Sequence, residues 1–200
     1  MNFLTHVLIS KTLYRHLSEK MELDQKSFSY GNIKPDLSPQ CLRKPHMLEN
    51  YLFLVYHDSN QLISHSTPIK EFSIELGVLC HYICDFFCYC HLNHKLYHKL
   101  FRHFIYEIRL HVVLCGMLLG HKTNLPNEGK APAGNLAAMV MEMRREYMTK
   151  PKTLQRDIEY ALLTSLYACQ LIDRLSKNAA ESSTASGYNS LKAFYSPCRG

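Results

Sequence analysis

Apolar positions along the chain recur at helical spacing, and short polar breaks bearing glycine or proline separate the recurring stretches. A first helix is predicted over residues 2–17, with His6 inside it. The string Gly31-Asn32-Ile33-Lys34-Pro35-Asp36-Leu37-Ser38-Pro39 reads as a turn-rich loop, which puts Asp36 on a loop. Leu48, Tyr51, Leu52 and Val55 stand at i, i+3, i+4 and i+7, so residues 46–64 form an amphipathic helix with Pro45 at its entrance and His46 at its start. A third helix is predicted over 68–91, and a fourth through an apolar stripe of Leu96, Leu100, Phe104 and Ile108 that the core shares.

Residues 120–134 collect Pro126, Gly129 and Pro132 and read as a loop. Two further helices follow, over 134–149 and 152–177. The second presents Leu154, Ile158, Ala161, Leu162, Ser165, Cys169, Ile172 and Leu175 on one face. Residues 178–200, rich in Ala, Ser and Gly, read as a poorly ordered, flexible tail. Strand signals are few. The expected fold is all-α, a single multi-helix domain over 1–177 followed by that tail.

Composition narrows this picture without changing it. Two hundred residues that are 46% hydrophobic suit one core, and no second domain is expected. The net charge of +6 is compatible with phosphate-bearing or anionic-lipid partners, but no long Lys/Arg run is present. Arg144, Arg145, Lys150, Lys152 and Arg156 read as a solvated basic face rather than a nucleic-acid surface. His6, Ser10 and Lys11 interrupt the N-terminal apolar stretch, so no signal peptide is expected. The apolar run at 112–119 falls far short of the roughly 20 residues that span a bilayer, which argues against a transmembrane anchor. Eight cysteines without a secretory signal point to a reducing compartment and a cytoplasmic location. Cys80, Cys84 and Cys88 are spaced four apart, and Cys84 and Cys88 fall between Asp85 and His91 on a helical wheel. Packing as small buried residues outweighs metal ligation for them.

The candidate chemistry lies between residues 81 and 107. His81-x-x-x-Asp85, then His91, then His103-x-x-x-Glu107 place five metal-capable side chains in helical register. Residues four apart lie about 40° apart on a helix, so each pair can grip one cation, and His91 falls about 80° from His81 if the helix continues. One continuous helix would then serve two metals. Imidazole with carboxylate suits zinc. An isolated pair is weak evidence in a chain with 12 histidines. Five such residues in register carry more weight.

The order His6, Asp36, His46, His81/Asp85/His91 and His103/Glu107 resembles the zinc-dependent phospholipase C family of all-helical phosphodiesterases. The strings Thr5-His6-Val7-Leu8-Ile9, Gly31-Asn32-Ile33-Lys34-Pro35-Asp36 and Gly77-x-x-x-His81-Tyr82-x-x-Asp85 carry the resemblance, which covers roughly residues 1–110 by motif. It implies two or three zinc ions. The first would be held by Asp36, His46, His81 and a bridging Asp85, and the second by His91, His103 and Glu107. The third would take His6, Asp85 and the amino group and carbonyl of the first residue. Secreted members expose an N-terminal tryptophan, whereas this sequence contains none and has Met1 five residues before His6. His57 and His65 compete with His46, which is favoured by its nearness to Asp36 and its place at a helix entrance. His94, His98, His111 and His121 have no part in the pattern.

The expected activity is zinc-dependent phosphodiester hydrolysis. Asp36 is the candidate to orient or deprotonate the attacking water. The resemblance supplies a phospholipid head group as the leaving part and allows peripheral membrane contact. Nucleases of the S1/P1 type share the ligand scheme and form one alternative. A non-enzymatic intracellular zinc protein, its cluster closed by cysteines, forms the other.

Overall fold

The computed structural model describes residues 1–39, 44–92, 97–123, 125–126 and 135–194, with side chains described through residue 182. Asn2 opens helix α1 (Phe3–Leu17): its side-chain oxygen accepts the Thr5 N–H at 2.9 Å, satisfying a donor that the first turn leaves free. The inward face of α1 carries Ile9, Leu13 and Leu17 together with His6. Each large apolar side chain buried here contributes about 1.5–3 kcal/mol of transfer free energy.

Helix α2 (Gln25–Leu37) corrects the sequence reading, because it runs straight through the segment expected to be a loop. Asp24 caps it by accepting the Ser27 N–H at 2.8 Å. Its Gly31 serves packing rather than turning, together with Gly77 of the helix it crosses. A Cβ on Gly31 would lie 2.0 Å from the carbonyl oxygen of Ile74, and one on Gly77 would lie 2.4 Å from the carbonyl oxygen of Phe28. The two glycines therefore let α2 and α4 (Ile69–Phe86) pass backbone to backbone. Pro35 is tolerated in the final turn, and the Ser38 N–H closes the helix on the Pro35 carbonyl at 3.3 Å. Asp36 thus projects from the last turn of a helix.

Helix α3 (Leu48–Ser64) buries Leu48, Tyr51, Val55, Ser59 and Leu62, as its periodicity predicts. The third predicted helix is interrupted. Helix α4 stops at Phe86, where the Phe87 N–H turns back to the Cys84 carbonyl at 3.2 Å, and a separate turn, α5 (Tyr89–Leu92), carries His91. Asp157 sets this break by accepting the Tyr89 N–H at 2.7 Å, while the Tyr106 and Tyr147 hydroxyls each donate to the same carboxylate at 2.7 Å.

Helix α6 (Leu100–Leu119) also differs from expectation. Its buried residues are Leu110, Leu114 and Met117, whereas the predicted stripe at Leu100, Phe104 and Ile108 is exposed, and Leu96 lies outside the described residues. The helix is apolar on two sides, so periodicity alone did not say which side turned inward. The inward side is the one that continues from His103 and Glu107.

Helix α7 (Leu136–Thr149) is capped by Asn135, whose side chain accepts the Ala138 N–H at 2.9 Å. Arg144 on this helix is half-buried and donates to the Phe86 carbonyl, so it is not simply part of a solvated basic face. Helix α8 (Leu154–Phe194) buries Ile158, Ala161, Leu162, Ser165, Cys169 and Ile172 on the expected face. Its backbone remains helical past residue 177, where the sequence reading places the start of a tail. The described residues contain helices and no strand. None of the described helices is long and apolar enough to cross a membrane.

Candidate metal centre

Five helices and the segment leading into α3 deliver the eight side chains singled out by the sequence to one place. His6 comes from α1, Asp36 from the end of α2, His46 from the approach to α3, His81 and Asp85 from α4, His91 from α5, and His103 with Glu107 from α6. His57 and His65, the competitors of His46, are both exposed on and after α3. His98 and His121 are exposed as well, and His111 contacts Thr5 and Cys115, while His94 lies outside the described residues.

Asp85 is the hub. Its Oδ2 lies 3.1 Å from His46 Nδ1, 3.5 Å from His81 Nε2 and 3.5 Å from His91 Nδ1, and its Oδ1 lies 3.3 Å from His6 Nε2. The Met1 amine contacts Asp85 Oδ1 and lies 3.4 Å from both His91 Nε2 and Glu107 Oε1. Burial alone would raise the Asp85 pKa, but the His91 charge and the Met1 ammonium beside it hold it well below the usual carboxylate range. Glu107 is likewise lowered: burial opposes the shift, and the ammonium, His103 and His91 outweigh it.

Main-chain carbonyls fix how the imidazoles face. A carbonyl can only accept, so His81 Nδ1–H donates to Asn32 at 2.8 Å, His103 Nδ1–H to Tyr97 at 3.2 Å and His91 Nδ1–H to the His46 carbonyl at 3.3 Å. Each bond points Nε2 toward the carboxylates, where its lone pair can serve a metal once the ring is neutral, the arrangement that orients histidines at metal sites. His81 is buried, and burial with the nearby His6 keeps its pKa well below the ordinary value, so the ring is neutral.

Donor spacing provides a test of fit. Two ligands each about 2.0–2.1 Å from a tetrahedral zinc stand about 3.3 Å apart. His81 Nε2 is 3.0 Å from His46 Nδ1 and 3.7 Å from Asp36 Oδ1, and His46 Nδ1 is 4.0 Å from Asp36 Oδ1. Glu107 Oε1 lies 3.0 Å from His103 Nε2 and 3.3 Å from His91 Nε2. A third group joins His6, His81 and Asp85. Neither ring nitrogen of buried His6 makes a hydrogen bond of good geometry, and an orphaned imidazole there costs free energy unless a cation takes its lone pair. The Met1 ammonium, wedged between Asp85 and Glu107, marks the same spot as attractive to positive charge. The residues therefore fit metal ions.

One donor escaped the sequence reading. Cys90 groups with His91, His103 and Glu107, all four donor atoms within 4.8 Å of one another. Burial pushes its thiol up, but hydrogen bonds with Cys88, His103 and His91 pull it down to about 4. Cys84 turns away, its Sγ 3.3 Å from the Ser165 hydroxyl, and Cys88 Sγ sits 3.2 Å from Cys90 Sγ. Pattern reading on one continuous helix weighed Cys84 and Cys88 and preferred packing for both; the break before α5 is what brings in Cys90.

A cavity of about 300 Å³ opens over the cluster, lined by Phe3, Asp36, Lys44, His46, Tyr97 and Glu107 among others. Burial raises the pKa of Asp36 at its edge, although His6 opposes that shift. A family model described as zinc dependent phospholipase C matches residues 5–150, a stretch that holds all eight of these side chains. No curated protein and no solved structure matches the chain.

Proposed function

The chain belongs to the zinc-dependent phospholipase C family, and we propose that it hydrolyses a phosphodiester, releasing a phosphorylated head group from a phospholipid. One observation carries the hydrolytic reading: histidine and carboxylate donors at zinc spacing converge beneath an open cavity, with Asp36 and His46 at its wall. Asp36, His46, His81 and Asp85 would hold one ion, His91, His103 and Glu107 a second, and His6 with Asp85 a third. Zinc, when bound, would neutralise charge on the phosphate and lower the pKa of a bound water to about 7.

The chain's own residues supply the rest. Asp36 is a carboxylate with a raised pKa at the cavity wall, suited to take a proton from the attacking water as its oxygen adds to phosphorus. Lys44 places an ammonium at the same wall, where it would pair with an anionic phosphate oxygen. Asp85 and the carbonyls of Asn32 and Tyr97 hold the imidazoles in place.

The lipid part of the proposal draws on the family and on the rim. Phe3 and Tyr97 line the cavity, and Leu4 beside Phe3, with Leu100 and Phe101 at the start of the helix that bears His103, are exposed apolar residues that would contact acyl chains at a membrane surface.

Zinc-loaded protein should be assayed on a chromogenic phosphodiester, phosphatidylcholine vesicles and single-stranded DNA. Head-group release from the vesicles is expected, with Asp36→Asn slower by about 10²–10⁴-fold. Preferential cleavage of DNA would transfer the site to the nuclease reading. Bound zinc with no hydrolysis of any of the three would leave a non-enzymatic zinc protein.

A further inference from the structure

Cys90 is wholly buried, and it stands beside three donors already grouped at metal-binding distance. His91 and His103 present Nε2 atoms at 3.3 Å and 3.0 Å from Glu107 Oε1, and the Cys90 sulfur shares the 4.8 Å sphere that holds these donors. Neighbouring residues on a long helix point about 100° apart and seldom converge on one ion. Here the chain breaks after α4, and Asp157 anchors the Tyr89 N–H, so residues 90 and 91 occupy a single isolated turn that faces the ends of His103 and Glu107. We infer that Cys90 is the fourth protein ligand of the ion held by His91, His103 and Glu107. This inference rests on the metal-binding reading above.

Two consequences follow from the donor set. Zinc is satisfied by four ligands in a tetrahedral arrangement, and sites filled entirely by protein donors are structural, whereas catalytic sites keep a position for water. A sulfur, two imidazoles and a carboxylate fill this site. Thiolate and carboxylate together also cancel the ion's two positive charges, which removes its pull on an anionic phosphate. The sulfur would bind as the thiolate, and protons displaced from the donor set on binding would leave to solvent. The His91, His103 and Glu107 ion becomes a fastener joining α5 to α6.

Cobalt substitution tests this without recourse to turnover. Cobalt-loaded wild-type protein is expected to show a near-ultraviolet sulfur-to-cobalt charge-transfer band alongside its visible d–d bands. Cys90→Ser should lose the charge-transfer band and bind one equivalent of zinc about tenfold or more weakly, while Cys88→Ser keeps both properties. If Cys90→Ser does not fold, zinc-edge X-ray absorption of the wild-type protein decides the matter, because a sulfur ligand scatters at about 2.3 Å. Visible d–d bands with no charge-transfer band, a zinc spectrum without sulfur, or a band that disappears with Cys88→Ser would each overturn the assignment and leave the hydrolase reading standing. A protein that binds no cobalt or zinc at all would overturn both.

Discussion

His81 Nδ1 donates to the main-chain carbonyl of Asn32 at 2.8 Å, and this bond ties the metal-facing side of α4 to α2. It can form because Gly31, the residue before Asn32, lies against the backbone of α4 with no side chain between them. Gly31→Ala would push a methyl group into the Ile74 carbonyl, separate the two helices and pull both Asn32 and Asp36 away from the cluster. We expect it to destabilise the protein by about 1–3 kcal/mol and to weaken zinc binding. Gly116→Ala offers the contrast, since a Cβ there meets nothing within 4 Å and the position is an exposed helix interior. That substitution should stabilise by about 0.5–1 kcal/mol. Urea melts of both variants, with zinc retained by the second, check the pair.

Removal of single ligands should subtract ions separately. His81→Ala takes a donor from the group shared with Asp36 and His46, and Glu107→Ala takes one from the group shared with His91 and His103. Each variant should lose about one equivalent of zinc by atomic absorption. Asp85→Asn should lose more than one, because that carboxylate touches His6, His46, His81 and His91 together. Unchanged stoichiometry in His81→Ala and Glu107→Ala would refute the assignment of these residues as ligands.

The contrast between these residues shows what could be read from the chain. His81 with Asp85 and His103 with Glu107 were legible because residues four apart on one helix meet by local geometry alone. The helical state of Asp36 was not legible: Gly31 and Pro35 signal a turn locally, and only the approach of Gly77, 46 positions further on, explains why the segment coils. The break that frees His91 from α4 has its cause in Asp157, 68 positions beyond Tyr89. Cys90 was passed over for the same reason, since a continuous helix would have turned it away from His91. On α6 the sequence offered two apolar sides, and the choice between them belonged to tertiary packing.

Proton linkage should give the metal-free and zinc-bound proteins opposite responses to alkali. Burial lowers the His91 pKa, but the Asp85 carboxylate and hydrogen bonds to Cys90 and Glu107 outweigh it and raise the group from 6.5 to about 9. His103, against the same opposition from burial, is raised to about 10 by hydrogen bonds to Cys90 and Glu107. Groups raised on folding stabilise fully below their unfolded value, so this contribution to the metal-free protein is present below pH 6.5 and is lost as pH climbs toward 9–10. Asp85 and Glu107 are lowered, so their contribution is present above 3.8 and 4.5 and is lost as pH falls below those values. His81 and Cys90 are held low, so their contributions grow as pH rises toward 6.5 and 9; the melting temperature in chelator should therefore climb from about pH 4.5 to a maximum near 6.5, above which the losses from His91 and His103 outweigh the gain from Cys90. Zinc needs neutral imidazoles, so its affinity should rise over the range where metal-free stability falls, with protons released on binding. Titration calorimetry in buffers of different ionisation enthalpy measures that release; zinc binding without proton release at pH 7 would contradict the charge states described.

The apolar rim gives a way to separate lipid contact from chemistry. Leu100 is 81% exposed and Phe101 76% exposed, values that leave nearly the whole of both side chains to be buried by a bilayer. Transfer of such a side chain out of water is worth about 1.5–3 kcal/mol, and 1.4 kcal/mol corresponds to about tenfold in affinity. Leu100→Asp and Phe101→Asp should each weaken binding to phosphatidylcholine vesicles by about tenfold or more. Neither side chain lies among the metal donors, so hydrolysis of a small soluble phosphodiester should stay within about twofold of wild type, with zinc content unchanged. Vesicle flotation and the soluble assay, run on the same preparations, make the comparison. Equal losses in both assays would mean that these residues support the site itself, and unchanged flotation would remove the rim from the membrane contact. Only a loss confined to vesicles fits a rim that docks on lipid while the cluster beneath it does the chemistry.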